Sequence, residues 1–370
     1  MNQHANASQP GLLPAHKSLA ALVVGAGRSG STMLSNLFRE HPAVLSLSEF
    51  FRLFFPTALS PSVLDGAQFW ELIGAPASHL SLFLQRDVPM PEFLYPFKDP
   101  SSRFTSSTSV PPILLVSLPH LTNDYEALYD ELRPVVLSFP PDNIERQFAR
   151  LIDWLKHRFG RSVCIERSGL SLPVVSSLIQ LFPRAKYVHL VRDGRACAYS
   201  MSHHFAFRFM VSMEIPIEPS TSNPASPEKG EDRDDQSSVD MGPLDFMQVL
   251  SRPLPVAAFG SFWSRMIVIG VQALLALPEE QVLTIRYEDI VADPRRNLTR
   301  LIDFIDPSLQ NQDWLERASS MVEHRPSAWE QLPAAEREAL EQACQPGQAI
   351  LDAVLQEGLH SPKVAELLRT

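Results

Sequence analysis

The stretch AALVVGAGRSGSTMLSNLFREHP, residues 20–42, leaves few folds open to this chain. Leu22–Val24 reads as a short apolar strand, a glycine-rich turn follows, and Ser31–Glu40 carries a helical pattern. A strand that runs through such a turn into a helix exposes backbone N–H groups at the helix N-terminus, where geometry and dipole favour an anion. Gly25 and Gly30 have the G-x-x-x-x-G spacing of a phosphate-binding loop, and Thr32 stands where the magnesium-binding hydroxyl of such loops falls. The lysine that should precede that hydroxyl is Ser31 here. In nucleoside-triphosphate loops that lysine bridges the β- and γ-phosphates. Arg28 offers instead a planar fork suited to a single terminal anion. Gly27, Arg28, Ser29, Gly30, Ser31 and Thr32 thus describe a loop for one phosphate with one more group attached. The plainer alternative is a strand-to-helix turn that binds nothing.

Further apolar runs of the kind that form buried parallel strands alternate with helical patterns, the mark of an α/β protein. Val44–Leu47 ends just before Glu49, Val163–Ile165 follows later, KYVHLV begins at Lys186, and QVLTIRYED runs out at Arg286. Ile144–Phe159 is an amphipathic helix by its pattern, and Leu172–Phe182 is helical. Asp293 as N-cap with Pro294 in the first turn starts another helix that continues to Ile305. The expectation is a three-layer α/β fold of the phosphate-loop type, a central parallel sheet flanked by helices.

With 370 residues, 45% of them hydrophobic, the chain can bury a large core. We expect one domain over 19–370, preceded by a polar, disordered tail over 1–18 without a charged-then-apolar leader pattern. Residues 50–140 are rich in Pro, Ser and Phe with weak periodicity, which suits loops or a lid forming an acceptor site. Residues 216–242 carry seven acids against two bases and few apolar residues, the composition of a disordered insert. The net charge of −10 argues against a nucleic-acid partner. Cys164, Cys197 and Cys344 are odd in number and widely spaced, which suggests neither a disulfide framework nor a metal site and points to a reducing, cytoplasmic setting. The apolar window Ala257–Leu277 contains Arg265 and Gln272, so a buried or amphipathic helix explains it better than a membrane span. The sequons at Asn6 and Asn297 are expected to go unused.

GAGRSGSTMLSNLFREHP resembles the 5′-phosphosulfate loop of sulfotransferases that use 3′-phosphoadenosine 5′-phosphosulfate (PAPS), in the Arg-Ser-Gly version of tyrosylprotein and many bacterial and carbohydrate enzymes. YVHLVRDGRACAYSM is similar to the same family's 3′-phosphate motif, a strand ending in Arg with a Ser eight residues later on the next helix; Arg192 and Ser200 hold those places. Two turns of helix would let both face one phosphate. A helix-cap ion pair of Arg192 with Asp193 or a neighbouring acid is the bland alternative. TIRYEDIVADPRRNLTRLIDFI is similar to the family's late strand-loop-helix, and Arg286 or Tyr287 would approach the nucleotide there. EHRPSAWEQL is family-like but weakly specific.

Sulfuryl transfer to a hydroxyl needs a base for the acceptor proton and cations for the transferring and leaving groups. Glu49 lies 21 residues after Arg28, and the resemblance gives a Glu at this place the role of general base. Phe50, Phe51 and Phe54 are expected to lower the dielectric around it and raise its pKa; a plain salt bridge to Arg28 or Arg52 is the alternative. The resemblance places Arg167 against the sulfate and the bridging oxygen, with Glu166 as its structural partner and Ser168 orienting the nucleotide. Arg replaces the Lys of many relatives, and Arg cannot give up a proton. His120, His203 and His204 are candidate bases of another kind; His203 and His204 are placed to line the acceptor site. His41 and His189 read as structural, and Asp99 as a turn residue.

The resemblance therefore implies in-line transfer from PAPS, without a metal, to the hydroxyl of a small-molecule, lipid-linked or carbohydrate acceptor. Glu49, Arg28 and Arg167 would carry the chemistry. The rivals are a phosphate-loop kinase or nucleoside triphosphatase, with YVHLVRD as its acidic strand, and a non-catalytic nucleotide-binding scaffold. The sequence does not specify the acceptor or the oligomeric state.

Overall fold

Five parallel strands position everything that follows: β1 (Ala21–Val24), β2 (Val44–Ser48), β5 (Val163–Arg167), β6 (Lys186–Val191) and β7 (Val282–Arg286), side by side in the order β2-β5-β1-β6-β7. A two-residue antiparallel pair, β3 (Val63–Leu64) with β4 (Asp142–Asn143), stands apart. The structure is a computed structural model and describes residues 18–53, 62–76, 84–85, 90–214, 252–324 and 326–369. Phe54, the insert 216–242 and all but the last residue of the 1–18 tail lie outside the described residues.

The pleat of β1 sorts its side chains to two sides. Leu22 and Val24 join one hydrophobic core, while Ala21 and Val23 join the other. On the second side pack α1 (Ser31–Arg39) through Leu34, Leu37 and Phe38, and the helix Pro294–Ile305 through Leu298, Leu301, Ile302 and Ile305. The first side takes α2 (Phe50–Leu53), the helix Ile144–Phe159, α3 (Gly194–Ser202) and the long helix Val256–Leu274. So the helix after β1 and the helix after β6 lie on opposite faces, although the two strands are neighbours. In an open parallel sheet that reversal opens a crevice at the carboxyl ends of the strands, the usual place for a ligand.

The expected elements are present with small shifts of boundary. Asp293 accepts the Arg296 amide and Pro294 occupies the first turn, as the helix-start pattern predicted. Leu172–Phe182 divides into a 3-10 turn, Leu172–Val174, and a helix, Val175–Leu181. Residues 50–140 correct the expectation of loops: they contain helices Gly66–Gly74 and Tyr125–Leu137, and shorter turns at Pro112–Leu115 and Ser117–Leu121. Pro134 inside the Tyr125–Leu137 helix and the shortness of the others hid this order, because a helical period needs length to register.

Val256–Leu274 is long and apolar enough to cross a membrane by length and composition, yet eleven of its nineteen residues are buried in protein. It lies along the helix Ala334–Glu357, where Gly260 and Gly347 remove the side chains that would hold the two backbones apart. A Cβ at Gly347 would fall 2.9 Å from the Ser264 Cα. The three cysteines are buried free thiols.

Candidate functional site

The turn after β1 takes its shape from three residues with positive φ: Gly27 (86°), Arg28 (57°) and Gly30 (91°). For Arg28, a residue with a Cβ, that conformation is strained and marks a site the surrounding structure holds in place. Gly30 is the N-cap of the nine-residue α1 and supplies no side-chain cap. The first amides of α1 are therefore available to an anion at the positive end of the helix. Ser31 and Thr32 begin this helix and line the cleft above it. Ser29 departs from the expectation: its hydroxyl is buried beneath the turn without a hydrogen-bond partner, close to where a Cβ on Gly25 would be. Of Ser29, only the backbone is left to serve a ligand.

The end of β6 meets this turn directly. Arg192 donates from Nη1 to the carbonyl oxygen of Arg28 at 3.2 Å, and its guanidinium lies 4.6 Å above the Tyr287 ring. Arg28 in turn donates from Nε to the Ser200 hydroxyl at 3.0 Å. Asp193, one acid named for an ion pair with Arg192, is engaged elsewhere. It caps α3, accepting the Arg195 and Ala196 amides, and pairs with the Arg195 side chain at 2.6 Å. Burial opposes ionisation of Asp193, but the hydrogen bond and charge of Arg195 and the two helix amides hold its carboxyl below the usual range.

Glu49 also has positive φ, 53°, between β2 and α2. Its amide donates to the Arg167 carbonyl at 2.7 Å. Its carboxylate accepts the Gly169 amide at 3.0 and 3.1 Å and forms an ion pair with Arg167, which also donates to the Ser48 hydroxyl at 2.8 Å. Arg167 thus pairs with Glu49, not with Glu166 as expected. On the pleat of β5 successive side chains point to opposite faces, so Glu166 turns away from its neighbour. Glu166 instead accepts the amides of Phe50 and Phe51. The apolar surrounding expected for the Glu49 carboxylate is also corrected: Phe50 and Phe51 turn into the core against Phe148, leaving the carboxylate among polar donors.

These groups share one cleft of about 1070 Å³, lined by Gly27, Arg28, Gly30, Ser31, Thr32, Glu49, Arg167, Arg192, Ser200 and Tyr287. Arg286 does not line it; its guanidinium lies 3.8 Å from Glu288. Arg286 is the last residue of β7, whereas Tyr287 begins the next helix and lines the cleft. Glu92 forms an ion pair with Arg28 at 3.2 Å and a hydrogen bond with the His204 ring at 2.8 Å. Burial disfavours the Glu92 anion, but the His204 hydrogen bond and charge, with Arg28, hold its pKa below the usual carboxylate range. Sequence reasoning missed Glu92 because it lies in an aperiodic stretch with no motif around it.

His203 and His204 line the cleft. His120 is buried behind it, with its ring nitrogen 3.2 Å from the Ser35 hydroxyl; burial, then Arg39 and Arg167, push its pKa down to about 3. His189 is fully buried in β6, and burial lowers it to about 4. His41 bonds the Leu309 carbonyl at 2.8 Å and meets Trp314 edge-on. Asp99 accepts the Ser101 amide and hydroxyl, the turn role its context suggested. Among the described residues, no three His, Cys, Asp or Glu side chains gather as metal ligands would.

Residues 169–326 match the family model for the sulfotransferase domain, which supports the resemblance seen in the sequence. That segment holds Arg192, Ser200 and Tyr287, while the loop after β1, Glu49 and Arg167 precede it. No curated protein matches the chain. Among solved structures the chain is similar to the sulfotransferase domain from the olefin synthase of Synechococcus PCC 7002, at 18% identity over 94% of this chain and 92% of that one, with a TM-score of 0.42. It is also similar to the sulfotransferase domain from the curacin biosynthetic pathway, at 13% identity over 94% and 95%, TM-score 0.42. Sulfotransferase STF9 from Mycobacterium avium gives 14% identity over 90% of this chain and 76% of that one, TM-score 0.43.

Proposed function

We propose that this protein is a sulfotransferase that moves the sulfuryl group of PAPS to a hydroxyl of a small-molecule, lipid-linked or carbohydrate acceptor, acting as one domain over 19–370 in the cytoplasm. The observation that carries the reading is the junction of two anion motifs. The glycine-rich turn, with its uncapped helix amides, and Arg192 with Ser200 meet through Arg28 at the carboxyl ends of adjacent strands. A cleft of about 1070 Å³ is at the upper end of the usual size for a small-molecule site, room for a nucleotide and a second substrate. Three buried free thiols are consistent with a reducing compartment.

PAPS carries an already activated sulfuryl group, so the protein has to orient it, balance its charge and remove one proton. Arg192 and Ser200 suit the 3′-phosphate, and the α1 amides with Arg28 suit the 5′-phosphosulfate. The acceptor oxygen forms a bond to sulfur as the bond from sulfur to the 5′-phosphate oxygen breaks. Glu49 accepts the acceptor proton, and adenosine 3′,5′-bisphosphate leaves. Arg167, almost fully buried, meets the growing negative charge on the sulfuryl and leaving oxygens with a cation that no solvent screens. Its ion pair with Glu49 keeps base and cation in register. Leu53, Phe93, Leu170, Phe207 and Met210 give part of the lining an apolar character suited to the body of the acceptor.

Calorimetric titration with adenosine 3′,5′-bisphosphate, beside ATP with magnesium, tests the donor. Metal-independent binding of the bisphosphate is expected; ATP binding that requires magnesium would favour the kinase reading instead. Glu49→Gln should then lower turnover by about 10²- to 10⁴-fold while the bisphosphate still binds. A variant with unimpaired turnover would remove Glu49 from the base role. Bisphosphate binding with no transfer to any hydroxyl would favour the scaffold.

A further inference from the structure

We propose that Glu166 is a positioning residue for Glu49, fixing from beneath the backbone turn that carries the reacting carboxylate. The inference rests on the reading of Glu49 given above and adds to it a residue that touches neither substrate.

Glu49 needs such support. Its positive φ is a conformation that costs an L-residue about 1–2 kcal/mol, and it persists only where neighbours over-determine it. The next three residues open α2, a helix of a single turn whose first amides have no partner within it. Glu166 supplies what is missing. Its Oε1 accepts the Phe50 amide at 3.1 Å and the Phe51 amide at 3.4 Å. The same oxygen accepts the Ser168 hydroxyl at 2.5 Å, and Ser168 Oγ accepts the Arg52 amide at 3.3 Å. One side chain and its relay therefore hold the three consecutive amides that follow Glu49.

The arrangement places the two faces of the carboxyl end of β5 in different service. Arg167 and Gly169 hold the Glu49 carboxylate from one side, while Glu166 and Ser168 hold the backbone behind it from the other. Glu166 is 1% exposed and, among the described residues, makes no ion pair. A carboxyl in such a place is expensive to bury, and an apolar residue would cost less unless the amides required an acceptor. Burial, reinforced by the nearby charge of Glu49, raises its pKa to about 8, so the group holds a proton near neutrality while still offering Oε1 to the amides. Neutral glutamine reproduces that oxygen; alanine does not.

The experiment compares Glu166→Gln, Glu166→Ala and the milder Ser168→Ala by turnover at saturating donor and by bisphosphate affinity. Glu166→Ala is expected to lower kcat by about 10- to 100-fold, the cost of a displaced reacting group, with bisphosphate affinity nearly unchanged. Glu166→Gln should recover most of that turnover, and Ser168→Ala should fall between. Equal losses of kcat and affinity, or a glutamine variant no better than alanine, would overturn the proposal. A thermal-unfolding cycle of Glu49→Gln and Glu166→Ala needs neither donor nor acceptor, and it decides the question even if the wild type fails to bind the bisphosphate and the reaction proposed above is wrong. A non-additive shift in Tm is expected if Glu166 acts through the Glu49 turn; additive shifts would reduce it to an independent helix cap.

Discussion

Arg192 and Arg28 are 164 residues apart and joined by a hydrogen bond, Nη1 to carbonyl oxygen at 3.2 Å, so the end of β6 and the turn after β1 are tied together. Arg192 therefore has two tasks, contributing a cation and holding the turn. Arg192→Ala should weaken adenosine 3′,5′-bisphosphate binding by about 10- to 100-fold, the range for losing hydrogen bonds to a charged group. Arg192→Lys should recover only part of it, because lysine loses both the planar fork and the stacking over Tyr287. Calorimetry at two salt concentrations checks both variants; equal affinity for alanine and wild type would place the 3′-phosphate elsewhere.

Glu92 competes with any anion for Arg28. The pair is 3.2 Å long with both side chains about a third exposed, so solvent screening limits its strength to about 0.2–1 kcal/mol. Glu92→Gln should accordingly tighten bisphosphate or inorganic sulfate binding by about two- to fivefold. Weaker binding in the glutamine variant would mean that Glu92 supports the site through His204 rather than shielding it.

Gly30 tolerates no side chain. At φ 91° a Cβ would also fall 2.3 Å from Cδ2 of Tyr287, whose ring is held under Arg192. Gly30→Ala should destabilise the protein by about 1–3 kcal/mol and displace Tyr287 from the cleft. Gly160→Ala is the control. Its φ is also positive, 61°, but nothing lies within 4 Å of its Cβ, so it should lower Tm without touching bisphosphate affinity.

Glu166 predicts a pH signature in stability. Its folded pKa, about 8, stands above that of an ordinary carboxylate, so between roughly pH 4.5 and 8 the folded chain holds a proton that the unfolded chain has released. Stability from this group is complete below that window and is lost as the pH rises through it. Glu166→Gln removes the titration, so its Tm relative to wild type should rise from pH 5 to pH 8. Buried His120 and His189, whose pKa values are lowered, give the opposite slope below pH 6.5 in both proteins and cancel in the difference. A difference constant with pH would show that Glu166 titrates as an ordinary carboxylate.

The local order of this protein was written in its sequence. The run Leu22–Val24 into a glycine turn could only be a strand entering a helix, Asp293 with Pro294 could only begin one, and KYVHLV had the continuous apolar character of a strand buried on both faces. These are effects of nearest neighbours in the chain, where φ restriction, capping and periodicity act within a few residues. The resemblance of three short motifs then pointed to Arg28, to Arg192 and Ser200, and to Arg286 or Tyr287, and the structure gathers all but Arg286 around one cleft. What tertiary structure decided was pairing. Whether Arg167 meets Glu166 or Glu49 depends on the side of β5 to which it points and on how β2 ends beside it. The arrival of Glu92 at Arg28, 64 residues away, likewise depends on the packing of distant segments. Such contacts join residues tens to hundreds of positions apart, and no pattern along the chain encodes them; they exist only once two cores have packed the sheet from both sides.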